Sequence, residues 1–191
     1  MTRPMGLVKT LALSLGWKVA LAVGLAVGLA WAPSVQAGAP KRLTCQQTAT
    51  RAMVEGVYGA VSKFTAKDTG CRWSFKGAKG GFLSGNTNGF VGGKAAYEQM
   101  RRGAKSAMKK YGTVTEGKTV GLRSYEFEGK PFGMPGVQVG FLSSNGKYAV
   151  TVAVGGMAKP SLEAARKLAR AIDARLSAGA KDASGSKPAQ K

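Results

Sequence analysis

Apolar residues recur at every fourth position at Ala49, Met53, Val57 and Val61, and Thr44 and Gln47 stand ahead of them at capping-box spacing. The pattern predicts a helix over 44–58, stopped by Gly59. The period then drops to two. Cys71, Trp73 and Phe75 alternate with Arg72, Ser74 and Lys76, which predicts strands 61–66 and 71–76 forming a hairpin across Lys67, Asp68, Thr69 and Gly70. The stretch 77–93 holds seven glycines and reads as one irregular strand with loops. From 94 to 111 the helical period returns, with Tyr97, Met100, Ala104, Ala107, Met108 and Tyr111 on one face and Gly112 beyond the end.

Three more strands are predicted at 120–128, 137–142 and 148–154. The last two are joined through Ser143, Ser144, Asn145 and Gly146, and Asn-Gly between alternating apolar runs is a strong hairpin signal. Pro160 and Ser161 open a closing helix with a stripe of Leu162, Ala165, Leu168, Ile172 and Leu176, and 177–191 reads as a disordered basic tail. Helix, strands, helix, strands, helix with hairpin connections implies an α+β fold: one domain over 43–176, after a short linker 38–42, with an antiparallel sheet flanked by about three helices.

The segment 1–37 differs in kind. Arg3 and Lys9 precede an apolar run broken only by Lys18, then Pro33, then Val35, Gln36 and Ala37 with small residues at alternate positions. This is the order of a secretory signal peptide cleaved after Ala37. The rival reading is an uncleaved anchor over 5–31 with Lys18 snorkelling to an interface. Cys45 follows Lys41, Arg42, Leu43 and Thr44, which is not a lipobox. Export places the domain in the periplasm or outside the cell, with no stable membrane span after cleavage.

Export changes how charge and cysteines are read. The chain has 29 basic and 9 acidic residues and no histidine; without the signal, 26 basic residues face the same 9, a net charge of +17. Such an excess attracts anions, whether an anionic envelope component or an acidic protein, and is silent on fold. The only two cysteines, Cys45 and Cys71, are expected to pair, closing a loop whose restraint of the unfolded chain stabilises by roughly 3–4 kcal/mol.

An early cysteine opening a helix, a second in Cys71, Arg72, Trp73, Ser74 and Phe75, then Val120, Gly121 and Leu122, a late hairpin and the 168–176 helix together give a familiar pattern. Over most of 43–176 the chain resembles small exported bacterial two-cysteine domains of unknown function with a PsbP-like fold. The resemblance implies a curved antiparallel sheet flanked by helices, paired cysteines, and a binding or accessory role rather than a reaction. The chain departs from lipid-anchored members in lacking a lipobox.

Candidate chemistry is sparse. Without histidine there is no Ser-His-Asp or Cys-His nucleophile and no histidine-based metal site, and no cofactor motif is present. Two S-x-x-K spacings, Ser106 to Lys109 and Ser144 to Lys147, fall mid-helix and in a turn. Glu126 and Glu128 alternate on one strand face, about 7 Å apart along the backbone, which two-carboxylate hydrolysis of an envelope polysaccharide would require. On the 94–111 helix, Arg101, Lys105 and Lys109 fall at four-residue spacing, with Arg102 and Lys110 alongside and Glu98 as counter-charge. With Lys94, and with backbone N–H groups of Gly92 and Gly93 at the helix start, that face is the candidate anion site. It lacks interleaved aromatics, which argues against nucleic acid. On the closing helix, Glu163, Lys167, Arg170 and Asp173 alternate in sign and read as solvated surface. The expectation is a non-enzymatic exported binding protein, with the polysaccharide hydrolase or a structural subunit docking a protein as alternatives.

Overall fold

The computed structural model describes residues 40–76 and 81–185, with side-chain surroundings as far as Gly179. The signal-peptide reading of 1–37 and the end of the predicted tail, 186–191, lie outside the described residues. Gly38–Lys191 forms one compact unit that contains the whole sheet, both apolar clusters and the disulfide.

The capping box at Thr44 forms as the spacing predicts: Gln47 N–H donates to the Thr44 hydroxyl at 3.4 Å, and Thr44 N–H donates to Gln47 Oε1 at 2.8 Å. The helix it starts, α1 (Cys45–Thr48), is one turn long. Ala49 and Thr50 are extended, and Thr50 caps a second helix, α2 (Arg51–Tyr58), by accepting from Met53 N–H at 3.3 Å. The expected single helix over 44–58 is thus two. A four-residue apolar period runs unbroken through the junction and hides it, whereas the second capping threonine marks it.

Eight strands make one antiparallel sheet: β1 (Arg42–Leu43), β2 (Lys63–Lys67), β3 (Gly70–Lys76), β4 (Phe82–Val91), β5 (Gly112–Gly117), β6 (Arg123–Gly129), β7 (Gly136–Leu142) and β8 (Tyr148–Gly156). Their order is β2-β3-β4-β8-β7-β6-β5, with β1 paired to the far end of β4. Two meanders, β2 to β4 and β5 to β8, are joined by α3 (Gly93–Met108), and α4 (Leu162–Gly185) closes the chain.

The glycine-rich stretch holds the longest of these strands, an interior one between β3 and β8, rather than an irregular one. Leu83, Gly85, Thr87 and Gly89 of β4 face the larger core, and the glycines there make room for neighbours. A Cβ on Gly85 would stand 2.3 Å from the Trp73 indole, and one on Gly89 would meet Leu43 and Thr48. Trp73 lies across Gly85, its register partner. The other face repeats the device, with Tyr125 over Gly140. The predicted strand 120–128 starts later, as β6 from Arg123 with Val120 buried outside any strand, and β5, which the pattern does not predict, precedes it with only Val114 turned inward. An edge strand with one half-buried side chain leaves no alternation to detect.

Side-chain alternation splits the interior into two layers. On one face, Val137, Val139, Phe141, Val150, Val152 and Val154 pack under α1, α2 and α4. On the other, Tyr125, Leu142 and Ala149 meet Ala96, Tyr97 and Ala104 of α3, while Ala107 faces solvent. Of the predicted stripe on α4, Ala165, Leu168 and Ile172 are completely buried, Leu176 is buried and Leu162 half-buried, and Ala169 joins them. The helix continues to Gly185, so 177–185 is helical where a disordered tail was expected.

Cys45 and Cys71 form the disulfide, with Cα atoms 4.6 Å apart, fixing α1 to β3. Beside it the Thr48 and Thr87 hydroxyls are 3.2 Å apart, and Cys71 N–H donates to Thr87 Oγ1 at 3.2 Å. On the far side, Arg175 of α4 donates to the Gln46 carbonyl at 2.7 Å.

Candidate functional site

The predicted basic face of α3 exists, but part of it is neutralised. Arg101 contacts Glu98 at 2.8 Å and Glu116 of β5 at 2.7 Å, and Lys105 also pairs with Glu116. Arg123 contacts Glu98 from the other side at 3.1 Å. Hydrogen bonding from Lys105 holds the Glu116 carboxyl below its usual range, and the hydrogen bond that Arg101 donates to Glu98 raises its guanidinium further. These pairs tie α3 to the β5 edge. Lys94, Arg102 and Lys109 are exposed and have no carboxylate partner among the described residues. The expected free N–H groups at the start of α3 are occupied: Gly92 and Gly93 both donate to the Lys147 carbonyl, at 3.3 and 3.0 Å. At φ of +134° and +53° they form the turn by which the chain leaves β4, and the donors are spent on that turn.

Glu126 and Glu128 share a strand face but not an environment. Glu126 is buried and takes Arg166 Nε and Nη2 at 2.8 and 2.7 Å, with the Thr119 hydroxyl at 2.7 Å. The Arg166 guanidinium first, then the Thr119 hydroxyl, hold its carboxyl below the ordinary range against the opposing effect of burial. A general acid must carry a proton near neutral pH, and this group is held ionised with both oxygens engaged. Glu128 is exposed and lies 3.5 Å from Lys159. The pair is built as a structural clamp and a surface charge. Asp173, expected on the solvated face of the last helix, is buried instead and accepts from Ser144 N–H at 2.7 Å and the Ser144 hydroxyl at 2.6 Å, securing the β7–β8 turn.

All six glutamates are ion-paired. The glutamates and Asp173 are therefore used within the fold, Asp68 in the β2–β3 turn makes no ion pair, and the surplus cations have no ion-pair partner among the described residues. One group of such cations away from α3 lies where the sheet is uncovered. α3 lies over β7, β8 and the neighbouring ends of β4 and β5, leaving β2, β3 and much of β4 open on that face. Register decides what points there. Phe64 pairs with Trp73 and Ala66 with Cys71 on the core side, so Lys63, Thr65 and Lys67, opposite Ser74, Arg72 and Gly70, point to the open side.

With Ser84 and Asn86 of β4 these residues line a groove of about 460 Å³. Among the described residues no carboxylate lies within ion-pair distance of Lys63, Lys67 or Arg72. Three cations with serine, threonine and asparagine side chains between them can neutralise an anion and donate hydrogen bonds to its oxygens. The groove escaped the sequence reading. The alternation in 71–76 that revealed the apolar face of the hairpin equally assigns Arg72 to the other face, and Lys63 beside Phe64 and Lys67 beside Ala66 follow the same rule.

Among the described residues no helix is long and apolar enough to cross a membrane, and no cluster of three or more metal-ligating side chains occurs. No protein-family model, curated protein or solved structure matches the chain.

Proposed function

We propose that the protein is an exported, non-enzymatic binding module of the bacterial cell envelope that holds an anionic partner, an envelope polyanion or an acidic protein, on the open face of β2, β3 and β4. One observation carries the reading: the groove joins Lys63, Lys67 and Arg72 to hydroxyl and amide side chains with no carboxylate among its lining residues. The remaining unpaired cations of α3, Lys94, Arg102 and Lys109, add to the long-range field and raise encounter rates rather than defining the contact.

The experiment is retention of Gly38–Lys191 on an anionic polymer matrix across a salt gradient. Replacing Lys63, Lys67 and Arg72 together with Gln lowers the salt needed for elution more than replacing Arg101, Arg102, Lys105 and Lys109, although the second set removes more charges. Equal or opposite ranking assigns the binding to α3 and removes the groove from the reading. Activity of the chain on envelope polysaccharide that disappears in Glu126→Gln while the fold persists would establish the hydrolase instead.

A further inference from the structure

At one end of the sheet several large apolar side chains stand in solvent. Phe132 is 82 % exposed, Met157 81 %, Phe82 51 % and Met134 49 %. They come from three separate segments brought together by backbone hydrogen bonds: Met157 N–H donates to the Phe82 carbonyl at 3.0 Å, and Gly156 N–H to the Pro135 carbonyl at 3.2 Å. Between them runs an apolar groove of about 460 Å³, reaching Met108 at the end of α3. Phe132 sits in the turn between Pro131 and Gly133 with φ +54° and ψ +31°, a left-handed conformation unfavourable for an aromatic residue, and its ring stacks on Tyr111 at 5.3 Å. The fold thus holds its most exposed aromatic side chain outward against backbone preference.

The rim of this end is cationic. Lys76 is the cross-strand neighbour of Phe82, on the same sheet face. Lys109 and Lys110 follow Met108, and the Lys110 ammonium lies 4.8 Å over the ring of Tyr111, the residue that stacks on Phe132. Lys130 precedes the turn of Phe132, and Lys159 follows Met157. The one carboxylate in this set, Glu128, is already engaged by Lys159.

We propose that this end of the sheet docks on an anionic phospholipid bilayer, with Phe132 and Met157 entering the acyl region and Lys76, Lys110 and Lys130 meeting headgroup phosphates. Charge complementarity selects the occupant: an apolar tip flanked by Lys76, the register partner of Phe82, and by Lys110 over Tyr111 matches the apolar interior and negative surface of such a bilayer. Side chains that project beyond the groove need no shaped counterpart in a fluid interface, and lysine stems extend from the apolar level to the phosphates. The apolar groove adjoins the open basic face, sharing Ser84 and Asn86 with it, but Phe132 and Met157 lie outside that face and the inference stands on them without it.

The test is co-sedimentation of Gly38–Lys191 with vesicles of phosphatidylglycerol and phosphatidylcholine in equal parts, beside vesicles of phosphatidylcholine alone. The expected result is binding to the anionic vesicles, weakened at least about tenfold by Phe132→Ser combined with Met157→Ser, changes at exposed positions that leave thermal unfolding in place. In Phe132→Trp, tryptophan emission shifts to the blue on the anionic vesicles and is quenched by brominated acyl chains, and this persists when Lys63, Lys67 and Arg72 are Gln. Binding unaffected by the serine pair, or an indole that brominated chains do not reach, overturns the proposal. So does a dimer that the serine pair dissolves in a chain that ignores vesicles, since the tip is then a contact between copies.

Discussion

The guanidinium of Arg166 on α4 grips the carboxylate of Glu126 on β6 through two parallel hydrogen bonds, at 2.8 and 2.7 Å, forty residues apart in sequence. The Glu126 side chain is 9 % exposed and that of Arg166 28 %, so the pair sits at the boundary of the core, where it joins the last helix to the second meander.

Acid sensitivity follows from this pair. Because the folded-state pKa of Glu126 is depressed, its contribution is fully present above the unfolded carboxylate value, about 4.3, and is lost as pH falls through the lower folded value. Urea midpoints are expected to hold down to about pH 5 and to fall below it. Glu126→Gln lowers stability near neutrality by about 1–3 kcal/mol and flattens the acid limb, because Arg166 loses its buried partner and keeps only the exposed Glu163, 3.0 Å away, as counter-charge. A series of urea titrations against pH measures both. An unchanged acid limb in the variant would assign the sensitivity to other carboxylates.

The contact between Trp73 and Gly85 yields a second expectation. Gly85→Ala forces a methyl into the indole at a position where both sheet and ring are fixed, and the expected cost is about 1–3 kcal/mol. Trp73 is the sole tryptophan of Gly38–Lys191, so its emission reports the displacement directly while circular dichroism reports the stability. Gly56→Ala on α2 is the control: nothing lies within 4 Å of the added methyl, and the change should stabilise slightly.

Removing the disulfide is the third. Cys45→Ala with Cys71→Ala should lower stability by roughly 3–4 kcal/mol through the freed unfolded chain. Thr48 and Thr87 remain beside the vacated site, so the native arrangement of α1 on β3 should persist in the weakened protein. Chemical shifts of α1 amides that match the parent in the absence of denaturant would show it.

Periodicity carried most of the architecture. The alternation around Trp73, the Asn-Gly turn and the Leu168 stripe each reflect one face of one element meeting the core, and such elements were placed within a few residues of their positions. Where the pattern failed, a partner distant in sequence had replaced the local signal. β4 looked irregular because its glycines are complementary to Trp73, Leu43 and Thr48, which no window around 82–91 contains. Asp173 looked solvated because Ser144, which buries it, is 29 residues away. The candidate site divides in the same way. The cations of α3 were visible as a stripe, but not their neutralisation by Glu116, and the groove on β2 and β3 follows from alternation only once the uncovered part of the sheet is known.

The position of α4 at the end of the chain bears on when this protein acquires its shape. Ala165, Leu168, Ala169 and Ile172 seal the aliphatic face of β7 and β8, and Arg166 and Asp173 deliver the counter-groups that Glu126 and Ser144 require. A polypeptide emerging from its amino terminus presents that face bare until Leu162 and the residues after it have been made. Chains halted before Ala165 retain the strands without their cover and expose a continuous valine surface. Structure therefore arrives late and cooperatively, and an incomplete product is a substrate for chaperones and proteases rather than a smaller working version of the whole.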